Sequence, residues 1–130
     1  MLLSFVRARK NRHILPAVAC VTLVFAAAQA HAHARLVRAD PAPRGTVAPP
    51  TELRLDFSEG VEPHFSGATL TSSGGAAVPL GPAKVEAGNA SVLIVPIIKP
   101  LTPGVYTVHW HAVSVDTHHT QGDFQFTVKP

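Results

Sequence analysis

The chain has 130 residues, with 11 Lys and Arg against 8 Asp and Glu for a formal charge of +3, one Cys and one Met. The positive balance sits at one end. Residues 1–32 hold Arg7, Arg9, Lys10 and Arg12 and no acid, so residues 33–130 carry seven basic against eight acidic side chains. The charge therefore gives no support for nucleic-acid binding. Cys20 and Met1 both lie in residues 1–32, so residues 33–130 have no disulfide, no thiolate site and no thioether of the kind that selects Cu(I).

From the start, a basic stretch leads into ILPAVACVTLVFAAA (residues 14–28), a charge-free apolar run, and then into AQAHA. A basic region, an apolar run of about 7–15 residues and an A-x-A site are the marks of a secretory signal peptide. The run is shorter than the roughly 20 apolar residues of a membrane-spanning helix. AVA before Cys20 is a faint lipoprotein signal, but a cut there would leave TLVFAAAQA hanging on the exported chain. Two cuts fit the A-x-A rule. One, after Ala30, frees His31; the other, after Ala32, frees His33. Residues 1–32 are accordingly expected to be a cleaved leader, and residues 33–130 a single domain of ordinary size.

Past the leader the pattern is strands and turns. DPAPRG (40–45), APP (48–50), SSGG (72–75), LGP (80–82) and KPLTPG (99–104) are turn signals. Between them, period-2 alternation marks strands. In TELRLDF (51–57), Leu53, Leu55 and Phe57 share one face. In GVYTVHWHAV (104–113), Tyr106, Val108, Trp110 and Ala112 share one, with Thr107, His109 and His111 opposite. In GDFQFTV (122–128), Phe124, Phe126 and Val128 point inward. ARLVRA (34–39), SGATLT (66–71) and SVLIVPII (91–98) are further strands, and Pro96 predicts that the last of these is an edge strand or a bulged one. About seven short strands with turns every 8–12 residues predict an all-β fold, an immunoglobulin-like antiparallel β-sandwich.

Two stretches carry metal-binding chemistry. A His at a freed N-terminus offers an imidazole and an α-amine, whose ordinary pKa of about 7.7–8.0 lets it lose its proton readily to a metal. Together these two nitrogens chelate a Cu(II)-type ion, which favours N and O donors in tetragonal geometry. The second stretch is SVDTHHTQGDF (114–124). In an extended chain, Asp116 and His118 fall on one side, because side chains two apart share a face. Both then reach one ion at roughly 2.0–2.2 Å. Asp-x-His alone is equally well explained as polar loop residues. It gains weight from the second nitrogen source at the terminus, which makes four converging donors: the α-amine and imidazole of His33, the Asp116 carboxylate and the His118 imidazole. His109 and His111 read as solvent-facing residues of a sheet. His119 points away from its neighbour His118, His64 sits in a loop after Pro63, and Trp110 reads as core.

HARLVRADPAPRG, TELRLDFSEGVEPHFSGATL and PLTPGVYTVHWHAVSVDTHHTQGDFQFTV, in this order and spacing, resemble the CopC family of periplasmic copper-resistance proteins. The resemblance runs over nearly all of residues 33–130 and is most specific at the two ends. It implies a small Greek-key β-barrel or sandwich, residence in the periplasm and one tight Cu(II) site. Carried over by position, that site is His33 with its own amino group, Asp116 and His118, which favours the cut after Ala32. Glu59, in DFSEG, matches a family acid near the site. The Met-rich Cu(I) site of some members is not expected. In many members the loop reads Asp-Gly-His-Pro; here Thr117 and His119 stand in place of Gly and Pro, which bears on the shape of the loop.

The function so predicted is a non-enzymatic module that binds one Cu(II) per chain and carries or sequesters it for resistance, homeostasis or uptake. The resemblance further suggests an inner-membrane copper transporter as partner. Two other readings belong to different classes. A histidine-brace copper oxygenase would use the same terminal His, but Asp116 would fill the position that oxygen needs. A metal-free immunoglobulin-like interaction module would take no stoichiometric copper. A cut after Ala30 would instead give His31-Ala32-His33, a local peptide site for Cu(II) independent of Asp116 and His118.

Overall fold

A computed structural model describes residues 33–130. The expected leader and both of its cleavage sites lie outside the described residues.

Alternation becomes two sheets. The strands are β1 (Leu36–Asp40), β2 (Thr46–Val47), β3 (Glu52–Phe57), β4 (Gly67–Ser72), β5 (Ala77–Val78), β6 (Lys84–Glu86), β7 (Asn89–Pro96), β8 (Gly104–Val113) and β9 (His119–Val128). One sheet runs β1-β3-β7-β6 and the other β2-β9-β8-β4-β5. The all-β sandwich is as expected. Six of the nine strands fall in the stretches that alternation marks; the other three, β2, β5 and β6, have two or three residues each, too short to show a period. One pair departs from the antiparallel pattern: β2 lies parallel to the end of β9, with Thr46 beside Thr127 and Val47 beside Val128.

The facing residues fill the space between the sheets. Leu53 and Leu55 on β3, Leu93 and Val95 on β7, Tyr106, Val108, Trp110 and Ala112 on β8, and Phe126 and Val128 on β9 form one core. Trp110 packs edge-to-face on Phe57, with ring centroids 5.4 Å apart. Its indole lies across Gly122, directly opposite on β9, where a Cβ would come within 2.8 Å of the ring. Only glycine allows that approach. Tyr106 stacks on Phe126 at 5.7 Å, and its buried hydroxyl donates to the Thr102 carbonyl at 2.7 Å, so the one polar atom this ring brings into the core is paired.

Pro96 does not make β7 an edge. β7 is interior, paired with β3 on one side and β6 on the other. Pro96 is its last residue, opposite Glu52, so the missing N–H falls where the ladder is ending. The register shift in this region lies at the other end of β7, where Glu86 pairs with Asn89.

On the outer face of the β1-β3-β7-β6 sheet, Arg54 forks onto Glu86, its two terminal nitrogens each 2.9 Å from a carboxylate oxygen, and its Nε lies 3.5 Å from Asp56 Oδ1. The hydrogen bonds from Arg54 hold the Glu86 carboxyl below the ordinary glutamate range. A group with a depressed pKa stabilises the fold fully above its unfolded-state value and loses that contribution as pH falls through its folded-state value. Glu86→Gln is therefore expected to cost a small amount of stability at neutral pH, as exposed pairs do. The gap from wild type should close as pH falls through and below about 4.3. Urea midpoints over a pH series check this.

Candidate metal centre

The start of the described chain is tied to two strand ends. Just after β3, the Ser58 N–H donates to the Arg35 carbonyl at 2.9 Å, the Arg35 N–H donates to Ser58 Oγ at 2.9 Å, and the Ser58 hydroxyl donates to the His33 carbonyl at 3.3 Å. Near the start of β9, the Thr120 hydroxyl donates to the Ala34 carbonyl at 2.8 Å. Ala34 between them is fully buried. His33 is thus held by its backbone at one end of the sandwich, with its side chain exposed.

The β8–β9 connection folds back to the same end. The Thr117 N–H donates to the Ser114 carbonyl at 2.8 Å and the Ser114 N–H to the His118 carbonyl at 2.9 Å, closing the loop. Its outer side is fastened to the segment after β3, where the Val115 N–H meets the Gly60 carbonyl at 3.1 Å and the Glu62 N–H the Val113 carbonyl at 2.8 Å. Asp116 and His118 do not come together as neighbours on an extended strand. They meet in a tight turn with Thr117 at φ +74°, the left-handed region that a β-branched residue rarely enters. This is the position where Gly stands in the Asp-Gly-His-Pro pattern, and the turn keeps the glycine-like backbone with threonine in place.

The turn places the side chains. Ser114, fully buried, donates its hydroxyl to Asp116 Oδ1. His118 Nδ1 lies 3.1 Å from the same oxygen. The Ser114 hydroxyl, with smaller help from His118, holds the Asp116 carboxyl below the ordinary aspartate range, so it stays an acceptor into acid. The His118 ring stands edge-to-face with the His33 ring, centroids 4.5 Å apart at 84°. Residues 85 apart in sequence are thus brought side by side, and His118 in turn contacts Asp116. The contacts are pairwise, His33 with His118 and His118 with Asp116. Among the described residues no three side chains of His, Cys, Asp or Glu form a ready-made metal cage.

Glu59 lies between Ser58 and Gly60, both of which bind the site segments. Its Oε1 is buried with no hydrogen-bond partner among the described residues. Asp56 Oδ1 is likewise buried without a hydrogen bond, but Arg54 Nε lies near it. An orphaned carboxylate oxygen costs free energy unless a cation or donor reaches it.

The remaining histidines sort by strand. His109 is engaged by Asp123 across the ladder; His111 and His119 are exposed on the outer face, and His64 is exposed in its loop. Trp110 is core, 8% exposed. Sequence reasoning did not single out Ser58, Ser114 or Thr120, which hold the site segments. A local signal existed for Ser114, since Ser-x-Asp is a turn-forming pair. None exists for Thr120, whose partner is 86 residues away.

Residues 36–129 match the CopC domain family. The chain is 44% identical over 123 residues to Protein YobA of Escherichia coli K12, covering 94% of this chain and 97% of that protein. It is 38% identical over 123 residues to copper resistance protein C of Xanthomonas campestris pv. juglandis, with 91% and 97% covered. The crystal structure of CopC from Methylosinus trichosporium OB3b matches with a TM-score of 0.70 at 34% identity, over 75% of this chain and 95% of that one.

Proposed function

Because the chain belongs to the CopC family, we propose that it is a periplasmic protein that binds one Cu(II) per chain and carries or sequesters it, without catalysing a reaction on it. The ion's donors are the α-amine and imidazole of His33, freed by a cut after Ala32, the imidazole of His118 and the carboxylate of Asp116. The observation that carries this reading is the His33 ring standing against the His118 ring at 4.5 Å.

The chemistry of the donor set fits. Imidazole, amine and carboxylate are the ligands that Cu(II) prefers, and the Irving–Williams order puts it ahead of Zn(II) and Ni(II) at such a site. His118 Nδ1 and Asp116 Oδ1 stand 3.1 Å apart, a spacing at which one ion at roughly 2.0–2.2 Å from each can take both. The orphaned Glu59 oxygen supplies negative charge at the end of the sandwich that holds His33. The Asp116 carboxylate also argues against an oxygenase, since it competes for the position that oxygen would take. An inner-membrane copper transporter fits as the partner that takes or delivers the ion.

The test is a Cu(II) titration of the chain that begins at His33, followed by electron paramagnetic resonance and Trp110 fluorescence. One equivalent with a tetragonal nitrogen-oxygen signal is expected. Uptake should weaken steadily in acid, because the ligand nitrogens must be deprotonated. Absence of stoichiometric uptake would leave a metal-free module. Intact mass of the exported protein reads the cleavage site directly.

A further inference from the structure

We propose that the outer face of the β8–β9 ladder carries a second cation site, formed by His111, His119 and Gln121, for a borderline divalent ion of the Zn(II), Ni(II) and Cu(II) group. The placement follows from register. His111 lies directly opposite Gln121, and His119 lies two residues before Gln121 on β9, opposite Val113. Residues opposite one another in an antiparallel pair share a face, as do residues two apart on one strand. The three side chains therefore project from one side of the sheet as a triangle of neighbours. All three are exposed, and they line one concavity of about 310 Å³.

The surroundings suit a cation. No Lys or Arg occurs on β4, β8 or β9, so no positive side chain of those strands shares this face. The next rung carries Asp123, whose carboxylate engages His109 and leaves that ring committed. His111 and His119 make no side-chain hydrogen bond to any described residue. Beside His111 on β4 is Gly67, where a Cβ would come within 3.3 Å of the ring; without one, no side chain at that position pins the imidazole. Two imidazoles with an amide oxygen and water make a donor set that suits this group of ions. The site is separate from the His33–His118 centre: His118 belongs to the loop, whereas His119 opens β9 and turns its side chain to the outer face.

The probe is Zn(II), added in a calorimetric titration to the chain that begins at His33 after loading with one equivalent of Cu(II). One further equivalent of Zn(II) is expected. His111→Ala and His119→Ala should each weaken it by about tenfold or more, in line with the loss of a group that supports a metal, and His64→Ala should leave it unchanged. Both positions are exposed, so thermal midpoints without metal should match wild type. A second arm uses His33→Ala combined with His118→Ala and no Cu(II): this chain should still take one Zn(II), and lose it when His111→Ala is added. That arm reads the second site even if the first does not exist. No further equivalent in wild type, or an equivalent that persists when His111 and His119 are both replaced, would overturn the proposal and leave these histidines as a solvated sheet face.

Discussion

Leaving one residue in front of His33 should weaken Cu(II) binding by on the order of a thousandfold, about 4 kcal/mol, and His118→Ala should do comparable damage. In the proposed site, the two changes act on different parts of one donor set. An extra residue converts the α-amine into an amide, which is no longer a ready σ-donor. It breaks the amine–imidazole chelate while leaving the His33 ring and all tethers of its backbone untouched. His118→Ala removes an imidazole whose ring stands 4.5 Å from that of His33. Since a supporting partner outside the ligand shell already costs 10–100-fold when lost, a direct ligand should cost more. His64→Ala, exposed in its loop, serves as the control and should change nothing. Competition against a Cu(II) chelator of known affinity gives the numbers. If the extended chain binds as tightly as the one that begins at His33, the amine is not a ligand. If His118→Ala alone is silent, the copper sits on the terminal residue alone, and the loop has no part in holding it.

What the sequence made legible was what repeats locally. Leu53, Leu55 and Phe57 alternate with polar neighbours, and all three are buried; the same holds for Tyr106, Val108, Trp110 and Ala112. Period 2 is a property of the strand itself, so it can be read without knowing the partner strand. The pairings β2–β9 and β4–β5 involve strands of two residues, and no period exists in two residues. Pro96 misled for a related reason. A proline argues against the interior of a ladder, yet β7 keeps its proline at the terminal rung and so stays central. At the candidate site the residue types were visible, but the reason they meet was not. The Asp116–His118 contact is made by a turn with a left-handed Thr117 and a buried Ser114 hydroxyl, not by an extended strand. The approach of His33 depends on Ser58 and Thr120, which lie 25 and 87 residues further along the chain. Such tethers obey no spacing rule and appear only when the fold is in view.

Phe126→Ala should lower stability by about 3–5 kcal/mol, the range for emptying an aromatic side chain from a packed core. The ring is 1% exposed on β9 and stacks on Tyr106 of β8, whose own hydroxyl is pinned to the Thr102 carbonyl. The space it leaves is bounded by strands that pair along ten consecutive rungs, from Gly104–Val128 to Val113–His119. Neither strand can collapse inward without giving up that ladder, so the cavity should stay open and the cost should fall in the upper half of the range. Against a total of about 5–15 kcal/mol for a domain of this size, this is a large share, read as a fall in urea midpoint at nearly constant m-value. Copper affinity should respond differently. Phe126 lies toward the far end of β9 from His119, and a fold left with even ~3 kcal/mol is more than 99% native, so Cu(II) should bind almost as tightly as to wild type. Bound copper should then raise the stability of Phe126→Ala by the same RT ln(1 + [L]/Kd) as it does wild type, and that of His118→Ala far less. If Phe126→Ala instead loses Cu(II) affinity while still folded, the core sets the geometry of the Ser114–His118 loop directly. The tethers through Ser58, Ser114 and Thr120 would then be insufficient to hold the loop on their own.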